Sequence, residues 1–208
     1  MNIQRDSGWS RRDTLAGAGL LAVLLGVPIA AVHFDSTDDD IPTAAQGQLL
    51  TDVCDMVVPR TDTPGAADVG VPAFVVLALA HGLEGSRAPS ASAAIPETAS
   101  YLRPDGSFRH LAWLEAEADR ECNGNFIGRS KAERLDALKK IDARGFAADG
   151  DHPWKLLKAL ILTGYYTSQS GGSQDLRYEL VPGRWDPDLP LKPADRAFSS
   201  DWTAVDFG

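Results

Sequence analysis

Cysteine is scarce: Cys54 and Cys122 are the only two in 208 residues. No C-x-x-C-H occurs, which excludes a covalently attached c-type haem. In an oxidising compartment two thiols can pair, provided their Cα atoms come within about 7 Å. Cys54–Cys122 is therefore a candidate disulfide, with two buried free thiols as the alternative. Histidine is equally sparse. His33, His81, His110 and His152 are scattered, and none has another three or four residues away, so metal binding has little support. His110 reads as a surface or interface residue rather than a base. There is no G-x-G-x-x-G loop and no preceding strand, which argues against a dinucleotide site. There is no G-x-S-x-G, which leaves a nucleophile elbow unsupported. Strand-like alternation does not persist anywhere, and no internal repeat is visible.

Positive charge is also short. The formal net charge is −9. Residues 1–31 carry Arg5, Arg11 and Arg12 against Asp6 and Asp13, which leaves −10 on the remainder. So acidic a body repels nucleic acid and anionic lipid, and neither is expected as a partner. Glu115, Glu117, Asp119 and Glu121 form an acidic run with Arg120 among them. At helical spacing they spread over solvated faces and do not converge on an acid–base pair.

What the chain does hold begins at its N-terminus. Ser10-Arg11-Arg12-Asp13-Thr14-Leu15 precedes an apolar run from Leu15 to Val32 that contains three glycines and ends in small residues. A positively charged start, a mildly apolar stretch and small residues make an export signal, here of the twin-arginine kind. Arg11 and Arg12 are its key residues. An uncleaved membrane anchor is the alternative, since no clean A-x-A cleavage site is present. The expected location is the periplasm.

Residues 1–31 are thus read as signal, 32–42 as acidic linker, 43–170 as a helical domain and 171–208 as an irregular C-terminal arm. About 175 residues remain after the signal, enough for one core. Leu50, Val53, Cys54 and Val57 mark one face of a first helix that Pro59 stops. Residues 59–72, "PRTDTPGAADVGVP", form a structured loop in which Pro64-Gly65 favours a turn. Pro72 opens a second helix that is apolar nearly all round and hence buried. Residues 84–106 read as a surface excursion. A third helix is expected from Ser107 to Asn123-Gly124-Asn125, with Phe108, Leu111, Leu114 and Ala118 inward. Ser130 and Glu133 predict a capping box for a fourth helix carrying Leu135, Leu138 and Ile141. Pro153 starts a fifth, with Leu156, Leu157, Leu160, Ile161 and Gly164 as its core face. The fold class is all-α: about five helices in a bundle with a long irregular tail.

Aromatic residues crowd the last quarter, including Tyr165, Tyr166, Tyr178, Trp185 and Trp202. Large, stiff side chains on an irregular segment suit a protein interface. Tyr165, Tyr166, Arg177, Tyr178, Pro182, Gly183 and Trp185 are the candidate partner contacts, with Pro182-Gly183 as the turn that aims Trp185. A tail that wraps its own helices is the competing reading.

Two blocks carry a family resemblance. Residues 50–75, "LTDVCDMVVPRTDTPGAADVGVPAFV", resemble the opening of the gluconate 2-dehydrogenase subunit 3 family. Residues 162–185, "LTGYYTSQSGGSQDLRYELVPGRW", are similar to its later block of threonine, tyrosines, glycines and a closing V-P-G. The resemblance implies a non-catalytic small subunit that binds no cofactor itself. It implies a large FAD-bearing dehydrogenase of the glucose-methanol-choline class as partner, acting on a sugar, sugar acid or polyol. A cytochrome c subunit and the twin-arginine translocon are further implied partners. The small subunit would carry the export signal for both chains and act as a chaperone. An independent small periplasmic enzyme, or an electron-transfer subunit, is the alternative.

Overall fold

The computed structural model describes residues 41–89, 96–148, 150–178, 190, 192 and 195–199. The expected signal, with Arg11 and Arg12, lies outside these residues, as do Pro182, Gly183 and Trp185.

Five α-helices carry the fold: α1 (Ala44–Val57), α2 (Val71–His81), α3 (His110–Glu121), α4 (Lys131–Ala147) and α5 (Pro153–Tyr166). Their starts follow from local chemistry. Thr43 and Gln46 form a reciprocal capping box at α1, with bonds of 3.2 and 3.1 Å. Ser130 and Glu133 do the same at α4, as their spacing predicts. At α5, Pro153 begins the helix and His152 accepts the Trp154 N–H through Nδ1 at 3.2 Å. Gly82, at φ 78°, ends α2 in the left-handed conformation. Asn123, Gly124 and Asn125 all have positive φ and reverse the chain after α3.

The helix α5 is the hub, packing on α1, α2, α3 and α4. Trp154, Leu157, Leu160, Ile161 and Tyr165 are buried on it. It meets α2 at Gly164, where a Cβ would lie 2.5 Å from Phe74 Cδ1, so the Phe74 ring as placed leaves no room for a side chain at that point. Val75, Val53, Cys54, Leu114 and Ile141 complete one continuous core. Among the described residues no helix is long and apolar enough to cross a membrane.

Several expectations need correction. The third helix starts at His110 rather than Ser107. Ser107 directs both its N–H and its hydroxyl to Asp105 Oδ1, at 2.9 and 2.6 Å, and its carbonyl accepts from Arg103 N. That turn sets Phe108 in an antiparallel bridge with Leu102. The 84–106 excursion is folded in part, with 3₁₀ turns at Leu83–Gly85 and Pro96–Tyr101. His110 is no surface residue: it is 7% exposed and meets Phe108 edge-on at 5.0 Å. Glu117 and Glu121 are not on a solvated face, because Arg144 of α4 clamps both, at 2.6 and 2.7 Å, and leaves their side chains 12% and 15% exposed. Cys54 and Cys122 are both free and buried. Cys54 faces the core from within α1, whereas Cys122 caps the end of α3, and burial pushes both thiols up from their ordinary pKa.

Of the expected C-terminal arm, the described residues hold a few short elements. After α5 the chain makes one π-helical turn, Gly171–Asp175. Strand β1 (Arg177–Tyr178) then pairs in parallel with β2 (Phe198–Ser199), in register Arg177 to Phe198.

Candidate functional site

The loop after α1 is built to be rigid. Ala66 N–H returns to Val58 O at 2.9 Å, and Thr61 N–H bonds Thr63 O at 3.0 Å. Gly65 N–H donates to Asp68 Oδ2 at 2.8 Å, while Arg60 meets the other oxygen of Asp68 at 2.6 Å. The Arg60 guanidinium, with the Gly65 N–H, holds the Asp68 carboxyl below the usual carboxylate range. Gly65 is required: a Cβ there would sit 2.7 Å from Arg60 N and 3.0 Å from Val58 O.

This loop meets the end of α5 and the π turn. The Tyr165 hydroxyl lies 3.0 Å from Pro64 O and 2.9 Å from Asp175 Oδ2. Thr63 Oγ1 donates to Asp175 Oδ1 at 2.7 Å and lies 3.4 Å from the tyrosine oxygen. With Thr63 spending its proton on the carboxylate, the single tyrosine proton serves Asp175 and the Pro64 carbonyl. Burial, with Asp175 nearby, pushes the Tyr165 hydroxyl up from its ordinary pKa. The π turn presses close beneath: a Cβ on Gly171 would lie 2.1 Å from Tyr165 O. Chemically this is a latch. Its donors are spent inside the protein, and it joins two segments, 59–65 and 165–175, that lie more than a hundred residues apart in the chain.

Both segments fall within residues 44–183, which match the family described as gluconate 2-dehydrogenase subunit 3. The chain belongs to that family. No curated protein and no solved structure gives a significant match. Family membership makes this chain a dehydrogenase subunit that associates with other dehydrogenase subunits.

The residues expected at a partner interface divide sharply. Tyr165 is 1% exposed and belongs to the core and the latch, which corrects its reading as a contact. Its neighbour Tyr166 is 41% exposed and stands edge-on to it at 5.2 Å. One residue along a helix turns the side chain by about 100°, which separates the two roles. Arg177 is exposed and its N–H bonds Ala197 O at 2.8 Å. Tyr178 pairs with Ser199 across the short ladder. Thr63 and Asp175 are latch residues that the sequence reading missed. In sequence Asp175 shows only as a lone carboxylate three residues after the Gly171-Gly172 pair.

Proposed function

We propose that this subunit is non-catalytic, assembles with a large FAD-dependent dehydrogenase of sugars, sugar acids or polyols, and supports its export by the twin-arginine route. The observation that carries this reading is the family match over residues 44–183. Arg11-Arg12 ahead of a glycine-studded apolar run supports the export part. The acidic remainder of the chain fits a protein partner better than nucleic acid or anionic membrane. Among the described residues, Tyr166 and Arg177 are exposed members of the proposed interface, to which Tyr178, Pro182, Gly183 and Trp185 are assigned from the sequence. A subunit that binds only the folded large chain also stabilises it by mass action.

The test is to replace Arg11 and Arg12 by Lys and follow the flavin-dependent dehydrogenase activity of the co-expressed large chain. That activity is expected in the cytoplasm instead of the periplasm. Unchanged periplasmic activity would sink the export role. A large chain that purifies alone and fully active would sink the assembly role.

A further inference from the structure

The turn between α3 and α4 holds the only Asn-Gly step of the chain. Of the asparagines, Asn2, Asn123 and Asn125, only Asn123 precedes a glycine. Such a step is chemically labile. The glycine nitrogen, once it sheds its proton, attacks the asparagine side-chain carbonyl carbon, and the absence of a Cβ leaves that approach uncrowded. The new N–Cγ bond closes a cyclic imide and expels ammonia. Water then opens the imide at either carbonyl. One product is aspartate; the other is isoaspartate, whose main chain runs through Cγ. The nitrogen leaves as ammonia, the oxygen comes from water, and no oxidant or cofactor takes part.

Asn123 and Gly124 are exposed, so water reaches them. Space does not protect the step either: a Cβ on Gly124 would meet no atom within 4 Å beyond its chain neighbours. What protects it is hydrogen bonding. The Gly124 N–H donates to Asp119 O at 2.7 Å and so closes the end of α3. Asn123 sits at φ 53° and Gly124 at φ 91°, left-handed conformations that Asn and Gly tolerate best. Either side of the step is pinned. Phe126 N–H reaches Asp119 Oδ1 at 2.7 Å, and Arg129 Nη2 donates to Cys122 O at 2.7 Å. Phe126, 1% exposed, anchors the turn in the core. The proton that the attacking nitrogen must lose is therefore engaged in the folded chain. Asn125 is a control within the same turn. The bulky Phe126 follows it, and its Oδ1 accepts from Gly128 N at 3.0 Å.

We propose that Asn123 is a site of spontaneous modification that the folded end of α3 keeps closed, and that its conversion to isoaspartate fixes the turn open. Isoaspartate adds one methylene to the main chain between residues 123 and 124. The added atom puts the N–H groups of Gly124 and Phe126 out of register with Asp119. Aspartate at position 123 keeps the original spacing and lets the turn close. The inference concerns the folded chain alone and rests on neither the partner nor the export reading.

The experiment incubates the full chain in mildly alkaline buffer and, in parallel, in unfolding urea. Peptide mass spectrometry follows amide-to-acid conversion at residues 123 and 125. Conversion of Asn123 is expected to be at least about tenfold slower in buffer, since the turn must open first. In urea Asn125 should lag behind Asn123. Asp119→Ala removes the acceptor of the Phe126 N–H, and should speed Asn123 conversion in buffer while leaving the urea rate unchanged. After urea is removed, chromatographically separated isoaspartate chains should lack amide-exchange protection at Gly124 and Phe126, whereas aspartate chains should regain it. Equal rates in buffer and urea overturn the proposal. So does Asn125 converting as fast as Asn123 in urea, a folded Asp119→Ala that converts no faster in buffer, or isoaspartate chains that regain full protection.

Discussion

Arg144 reaches from α4 to two carboxylates of α3, whereas Tyr165 reaches from α5 to a carbonyl and a carboxylate in the loop and the π turn. The first contact belongs to a belt of charge pairs around α4. Arg134 pairs with Asp52 of α1, Lys131 reaches Asp55 at 3.3 Å, and Asp142 holds both Lys158 and the Trp154 Nε1–H. The second contact rests on short backbone approaches and one tyrosine. Exposed or half-exposed ion pairs contribute roughly 0–1 kcal/mol each and weaken with salt. A buried hydroxyl with specific partners, set where there is no room for a methyl group, tolerates far less change. The belt orients helices; the latch fixes one backbone geometry.

That contrast can be broken at its strong end first. Gly171→Ala places a Cβ against the Tyr165 carbonyl and is expected to destabilise the chain by about 3 kcal/mol or more, read from urea unfolding. A loss as small as that of a surface substitution would mean the π turn is not held against α5. Acid is the next lever, acting at the first residue of α3. A histidine whose folded pKa lies below its unfolded value stabilises fully above the unfolded value and loses that contribution as pH falls. For His110 the window runs from 6.5 down to about 4, and the total is about 3 kcal/mol by the usual conversion. His110→Gln should flatten the acid limb of stability against pH over that window, whereas the parent chain should not be flat there.

Tyr165→Phe removes the tyrosine proton from Pro64 O and Asp175 Oδ2, while Thr63 still donates to Asp175 Oδ1. A loss of about 1–2 kcal/mol is expected, indifferent to added salt. Arg144→Ala is expected to cost about 1 kcal/mol or less, and the difference from the parent should shrink further in 1 M salt. If salt erased the tyrosine effect and spared the arginine effect, the division between belt and latch would be reversed.

The helices were legible because their signals are local. Apolar spacing, Ser130 with Glu133, and Pro153 each report on one turn of chain. The same logic failed at Ser107, where an adjacent aspartate captured the serine and a bridge replaced the first turn of α3. It failed for Glu117 and Glu121 because their partner lies on another helix. Tyr165 and Tyr166 were treated alike because composition does not resolve which side of a helix each occupies. The latch was invisible for the same reason as the belt: its members are joined by packing, not by sequence spacing. The resemblance of two blocks marked where to look, but not that they touch.

Thr63 and Asp175 are 112 residues apart in the chain. Synthesis proceeds from the N-terminus at about 5–20 residues per second, so the loop waits on the order of ten seconds for its carboxylate partner to be made. The first of the two blocks therefore matures only after nearly all of the helical domain has left the ribosome. Anything that must recognise the closed form of that loop, a partner subunit included, acts only once Asp175 has been made.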